Sequence, residues 1–293
     1  MNESPLIHTS GRVLAALDHS VYAASVADHA GWAATQLDAP LDMVHVIDRR
    51  GWSSGEPDLS GSLSLGGQEV LLEKLVSLDE QRGRIAQEQG RRLLAQAQAR
   101  VAGLFGQSAA IKQRQGALVE TLLELEPDVR LLVIGKRGEH ANFAEGQLGS
   151  KLESVVRAAS RPVLIAARGF RAINRFMIAF DGSATTLRCV EMVSASPLLA
   201  GLECVLLMVG PASVSQREAL QRAEQSLREA GFVPVIKHVD GVAETVIAQT
   251  VVAERIDLLV MGAYGHSRIR NRIVGSTTTQ VLRSCKIPVL LLR

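Results

Sequence analysis

The sequence predicts an α/β protein made of two tandem, doubly wound domains, each with a five-stranded parallel sheet. Three observations carry that expectation. First, the chain has 293 residues, about two domains' worth. Second, it repeats itself at a nearly constant offset. Third, short aliphatic runs alternate with segments of helical periodicity, the pattern of a parallel sheet covered on both faces.

The repeat is legible in five blocks. GALVETLL begins at Gly116 and GVAETVIA at Gly241, 125 residues later. LLVIG ends at Gly135 and LLVMG at Gly262, an offset of 127. Gly149-Ser150 returns as Gly275-Ser276, Val155-Val156-Arg157 as Val281-Leu282-Arg283, and Arg161-Pro162-Val163-Leu164 as Ile287-Pro288-Val289-Leu290, each 126 residues on. Near the start, the Asp18-His19-Ser20 turn matches Asp181-Gly182-Ser183 at an offset of 163. The difference, 163 − 125 = 38, is extra sequence in the first copy. The expected layout is therefore a first domain over 1–168 with an insertion at about 49–87, a linker over 167–174, and a second domain over 169–293.

The second copy gives its elements in order. A short apolar strand is expected over 175–180, a helix over 184–195 and a continuous apolar strand over 203–209. The helix over 215–230 puts Ala219, Ala223 and Leu227 on one face and stops at Gly231. Then come a strand over 233–239, a helix over 243–254, a strand over 257–261, a helix over 276–284 and a last strand over 288–292. In the first copy, the insertion reads as a Gly/Ser-rich loop followed by a long charged helix over 69–100. That helix has apolar spacing at Leu71, Leu72, Leu75 and Leu78. It is read as a solvated extension in preference to a lid or partner surface.

Composition narrows the function classes. Aromatic residues are 3% of the chain, too few for base-stacking platforms. The formal net charge of +2 is too balanced for a protein that lives on nucleic acid or anionic membranes. Residues 1–168 carry 18 basic and 20 acidic side chains, and residues 169–293 carry 14 and 10. No apolar run approaches the length of a membrane span. Three cysteines without CxxC or metal spacing suit a reducing compartment. The N-terminus lacks a signal-peptide pattern, so a cytoplasmic location is expected. A metal held by His19, His45 and His140 is a minor alternative to packed histidines.

Ligands of open α/β sheets bind beyond the carboxyl ends of the strands. The informative loop there follows the fourth strand of copy two. It holds Gly262 and Gly265, then nine residues with Arg268, Arg270 and Arg272 and no acid, then Gly275-Ser276-Thr277 at a helix start. Backbone N–H groups and the helix dipole make such a terminus an anion site, and a polyphosphate is the natural guest. The loop is neither a P-loop nor a dinucleotide fingerprint.

The spacing G-x2-G-x9-G-[ST], with Asp-Gly-Ser after strand one, resembles the ATP-binding branch of the universal stress protein family. The resemblance runs through nearly the whole chain twice, the insertion excepted. It implies two adenine-nucleotide alpha-hydrolase-like domains and a regulatory stress-response role in the cytoplasm. ATP, with Mg as a candidate companion, would be held mainly in the second domain. By position, Ala179 and Asp181 would flank adenosine, Val209 would pack on the base, and Met261 and Gly262 would lie under the nucleoside. Gly265, His266, Gly275, Ser276 and Thr277 would take ribose and phosphates.

The first copy departs from that pattern. Ten residues separate Gly138 from Gly149; they carry Glu139 and Glu145 and no Lys or Arg, with Lys136 and Arg137 as partial compensation. A weaker site is expected from Asp18, Val46, Ile134, Gly135, Gly138, Gly149 and Ser150. The rival readings are an ATP hydrolase or nucleotidyl-transfer enzyme, with His266 as the nearby base, and a nucleotide-free interaction scaffold. Enzymatic turnover beyond slow ATP hydrolysis is not expected. The family resemblance also implies that the apolar last strands of the two copies pair antiparallel inside one chain, standing in for the homodimer of single-domain relatives. Association of whole chains into a homodimer stays open.

Overall fold

The computed structural model describes residues 8, 10–48, 65–138, 149–262 and 276–292, with the side chains of 65–73, 150 and 276 left aside. The first half runs β1 (Arg12–Leu17), α1 (Ala23–Leu37), β2 (Leu41–Ile47), α2 (Leu65–Phe105), β3 (Ala109–Gln115), α3 (Leu118–Leu125), β4 (Val129–Gly135), α4 (Ser150–Ala158) and β5 (Val163–Ala166). The second runs β6 (Arg175–Phe180), α5 (Ala184–Ala195), β7 (Glu203–Val209), α6 (Val214–Glu229), β8 (Val235–Val239), α7 (Ala243–Ala253), β9 (Leu258–Gly262), α8 (Ser276–Ser284) and β10 (Val289–Leu292).

All ten strands form one sheet in the order β3-β2-β1-β4-β5-β10-β9-β6-β7-β8. Within each half the ladders are parallel. The halves meet through β5 and β10, antiparallel, with Leu164 opposite Leu290. Each half thus has the doubly wound order in which the first and fourth strands lie side by side at the chain reversal, and the junction relates one half to the other by a pseudo-twofold axis.

Alternation along the strands sorts their side chains to two faces. Val13, Ala15 and Leu17 join a core under α1, α2, α5 and α6, while Leu14 and Ala16 join a second core under α3, α4, α7 and α8. Both cores continue across the junction. Leu164 and Leu290 belong to the first, and Val163, Ile165, Val289 and Leu291 to the second. Aliphatic residues do nearly all of this work, in keeping with the scarcity of rings.

Two buried carboxylates brace the first half. Asp28 of α1 takes a fork from Arg100 of α2, at 2.6 and 2.8 Å. Asp42 of β2 takes two bonds from Arg12 and one from Lys112. In the second half, the contact between α5 and α6 is a hydroxyl pair, Ser194 to Ser226 at 3.3 Å.

Two elements differ from expectation by two residues or more, and α6, α7, β9 and β10 by a single residue at one end or both. Helix α2 starts at Leu65 and ends at Phe105, longer at both ends than 69–100. At 1.5 Å per residue its 41 residues span about 60 Å. Among the described side chains its later turns bury an apolar face at Leu94, Ala97 and Val101, while the expected stripe residues Leu71 and Leu72 lie outside the described side chains. Leu78, expected on the packing stripe, is 49% exposed. Leu75, on the same stripe, is half-buried. Strand β8 begins at Val235, not 233, because its ladder with β7 begins there.

Candidate functional site

The carboxyl ends of β6, β7 and β9 and the start of α8 converge on one edge of the second half. The chain leaves β6 through Asp181-Gly182-Ser183. Gly182 has φ +77°, the left-handed region that glycine supplies without strain. A side chain there would also strike Gln216 of α6, whose Cγ lies 3.0 Å from the position of an added Cβ. Ser183 then caps α5 by accepting from the Thr186 N–H at 3.3 Å.

Asp181 is exposed at this turn, and Oδ1 carries its local bonds. It accepts from the Ser183 N–H at 2.9 Å and the Thr186 hydroxyl at 2.8 Å. Partial burial pushes this carboxyl up, but the bonds from Ser183 and Thr186 outweigh it and hold its pKa below the usual range. The group is a carboxylate at neutral pH. Gln216 spans the crevice: its Nε2 donates to the Asp181 carbonyl at 3.0 Å, while its Oε1 accepts from the Ser213 N–H at 3.0 Å to complete a capping box at the start of α6. The turn after β7 is fixed by the Gly210 N–H donating to the Val239 carbonyl at 2.9 Å and by His238 Nε2, 2.7 Å from the Gly210 carbonyl.

Ala179 and Val209 are half-buried beside this turn, and Met261 is buried at the end of β9. Gly262 has a packing reason to be glycine. An added Cβ would come within 2.9 Å of Thr185 Cγ2 and 3.5 Å of Cys189 Sγ, both on α5. Gly135 shows the same device, its added Cβ falling 2.9 Å from Tyr22 Cβ. These two glycines, placed by the sequence in the two candidate sites, let α5 and α1 close on the sheet. The Cys189 thiol beneath is inert, since burial pushes its pKa up to about 12. Helix α8 opens with no acid in its first turn, and Thr277 is exposed there. The expected loop residues Gly265, His266 and Gly275 lie outside the described residues, as does the side chain of Ser276.

The first half brings a similar set together. The Ser20 N–H donates to Asp18 Oδ1 at 3.1 Å. An added Cβ on Gly138 would lie 3.1 Å from Asp18 Oδ2, and one on Gly149 would lie 3.6 Å from the Gly138 nitrogen. Asp18, Gly138 and Gly149 are therefore neighbours. Val46 is half-buried and Ile134 buried on either side. His19, in the place of Gly182, turns its ring edge-on to His45, with centroids 5.1 Å apart. His45 is held by the Leu17 carbonyl, 2.9 Å from its Nδ1. Lys151, at the start of α4, pairs with Asp48 at 3.4 Å.

The Lys136 ammonium donates across the junction to the Cys285 carbonyl at the end of α8. Burial lowers its pKa, with Arg137 adding to the effect and Cys285 opposing it. Among the described residues, no group of three or more His, Cys, Asp or Glu could hold a metal. Sequence reasoning missed Thr185, Thr186 and Gln216. The Ser213-x-x-Gln216 capping box was readable, but its reach to Asp181 was not.

Comparison with known proteins follows the same halves. The model of the universal stress protein family matches residues 9–167 and 205–293. The gap between them holds β6, the Asp181 turn and α5. The universal stress protein Slr1230 of Synechocystis is 35% identical over 284 residues, covering 96% of this chain and 99% of its own. A universal stress protein of Mycolicibacterium smegmatis is 24% identical and covers 89% and 91%. Among solved structures, a universal stress protein from Archaeoglobus fulgidus superposes with TM-score 0.68 at 18% identity, covering 98% of both chains. That likeness is one of fold. Among the described residues, no helix is long and apolar enough to cross a membrane.

Proposed function

Because the chain belongs to the universal stress protein family, we propose that it is a regulatory, cytoplasmic ATP-binding protein whose nucleotide is held mainly in the second half. The observation that carries this reading is the braced turn at Asp181, facing an α8 start free of acids. In sequence, the segment between them carries Arg268, Arg270 and Arg272. An anionic nucleotide suits a helix N-terminus with no acid in its first turn, with the fixed Asp181 carboxylate on the same edge of the sheet. Ala179, Asp181 and Val209 would hold the nucleoside with Met261 and Gly262. Gly265, His266, Gly275, Ser276 and Thr277 would hold ribose and phosphates, and Mg would balance phosphate charge beside Asp181.

The first half is proposed as a weaker site on Asp18, Val46, Ile134, Gly135, Gly138, Gly149 and Ser150. Its segment 139–148 carries Glu139 and Glu145 and no Lys or Arg, so phosphate would meet repulsion there. The β5–β10 ladder would stand in for the dimer contact of single-domain relatives. ATP titration of the full chain by calorimetry tests the proposal. One tight equivalent is expected; two equal tight sites, or none, would refute it. Release of free phosphate from the bound ATP faster than slow background turnover would favour an enzyme instead.

A further inference from the structure

Helix α2 carries turns for which the second half has no counterpart. The glycines that follow α2 and α6, Gly106 and Gly231, are 125 residues apart. By that offset Leu94 corresponds to Ala219, since 94 + 125 = 219, and both are buried. Helix α6 begins at Val214, which matches position 89, since 214 − 125 = 89. The part of α2 before residue 89 is therefore an addition to the shared scaffold, and the second half completes its own fold without it.

These added turns are more than solvated charge. Leu78 is 49% exposed and Ile85 is 51% exposed. Seven residues apart, they lie two turns along one side of the helix. At about 100° per residue, that side is more than a third of a turn from the face that buries Leu94, Ala97 and Val101. The stripe therefore does not continue the contact of α2 with its own chain. Charged residues border it, Asp79 and Arg82 on one flank and Lys74 and Glu88 on the other, and all four are exposed. Glu88 accepts from Arg92 through one oxygen, at 2.9 Å. Among the described residues, Lys74, Asp79 and Arg82 make no ion pair within the chain.

A second copy of the chain fits this pattern. Strands β5 and β10 close on each other within one chain, so a second copy must dock elsewhere. We propose that two copies meet α2 against α2, antiparallel, about a twofold axis that passes between Gln81 and Arg82. The axis lies midway between Leu78 and Ile85, so Leu78 of each copy packs on Ile85 of the other. It also sets like flank beside like flank. On one flank Asp79 of each copy meets Arg82 of the other, and on the opposite flank Lys74 meets Glu88, so both ion pairs form twice. A parallel pairing would instead set Arg82 beside Arg82 and Asp79 beside Asp79. The contact from Lys74 to Glu88 spans about 20 Å of helix. That is small for a lasting interface, so the dimer is weak, with dissociation in the micromolar range or above. It makes no use of the nucleotide reading and would survive its failure.

Sedimentation velocity of the full chain, without nucleotide, tests the proposal. The weight-average mass should rise from one chain toward two as concentration climbs through the micromolar range and beyond; a chain that stays monomeric overturns it. Leu78→Ser with Ile85→Ser should weaken association at least tenfold, because apolar contacts are lost on both sides of the axis. An unchanged association constant would place the contact elsewhere and overturn the proposal. Asp79→Arg and Arg82→Asp should each weaken self-association about tenfold at low salt, since two attractions become repulsions. Mixed in equal amounts, these two variants regain complementary pairs and should dimerise where neither does alone. A mixture no more associated than its components overturns the proposal, because an effect confined to one chain would persist on mixing. Gln81→Cys, beside the axis, should cross-link to its own copy under mild oxidation. Lys74→Cys should cross-link only when mixed with Glu88→Cys, and a link between two copies of Lys74→Cys would overturn the antiparallel arrangement.

Discussion

In the second half, the turn after β6 gathers two hydrogen bonds onto one oxygen of Asp181, and Gln216 of α6 bonds to the backbone carbonyl of the same residue. In the first half, Asp18 keeps the bond from the residue two positions on, but Gly138 of the following loop sits against its other oxygen. Among the described residues, the turn at Asp181 is thus braced from α6, and Asp18 has the loop after β4 beside it. The charges diverge as well. Lys136, the first cation after β4, is drawn to the Cys285 carbonyl of the opposite half, whereas the matching loop of the second copy carries three arginines in sequence. The two halves keep one scaffold, and in the first Lys136 turns toward the junction.

The largest expected effect tests the scaffold of the first half. Asp28 is buried, with its side chain 4% exposed, and Arg100 is its partner. Arg100→Met leaves that carboxylate without its cation and should lower stability by about 3 kcal/mol. Ser226→Ala, at the corresponding helix contact of the second half, should cost no more than about 1 kcal/mol. Urea unfolding of both variants checks the difference; equal losses would mean that the ion pair does not hold α2 in place.

Next in size is the phosphate assignment. Gly275→Val should weaken ATP by roughly 100-fold, the loss of about two charge-assisted bonds, with an unchanged melting temperature. Gly149→Val should leave the tight equivalent intact. Calorimetry that finds the reverse order would exchange the roles of the two halves.

A smaller effect separates junction from site. Lys136→Met should cost about 1 kcal/mol in stability and nothing in ATP affinity. A fall in affinity without a fall in stability would put Lys136 back among the ligand-binding groups.

The smallest effect is a pH dependence confined to the first half. Burial, opposed by the Ser25 carbonyl and by Asp28, holds the pKa of His29 below its ordinary value, and its Nε2 has no hydrogen-bond partner. Asp28 itself is bonded to Arg100. The unfolded chain, with an imidazole near 6.5, therefore binds a proton that the native state refuses. Stability should fall as pH drops below about 6.5, by at most about 1.4 kcal/mol per unit. His29→Met, which copies the residue at 192, should remove that slope. Denaturant titrations at pH 7 and pH 5 decide it; an unaltered slope would mean that other groups carry the acid sensitivity.

Much of this architecture was legible in the chain. The offsets near 126 gave the duplication, and the aliphatic runs and capping residues placed β6, α5, β7 and α8 at their observed bounds. Local signals suffice there because strand and helix periods, N-caps and turns are decided within a few residues. Of the positions the sequence offered for a site, Asp18, Gly138 and Gly149 are neighbours, and Asp181 follows β6 at the carboxyl edge of the sheet.

What the sequence by itself determined is therefore the repeat, the alternation of elements and the edge at which a ligand would meet them, because each is written in spacing. Tertiary structure decided the rest. It showed that Gly262 and Gly135 are glycines for the sake of α5 and α1, that Gln216 reaches back to Asp181, and that Lys136 leaves its own loop for the other half. Such outcomes depend on which side chains meet across elements far apart in the chain, and spacing along a single strand or helix carries no record of that.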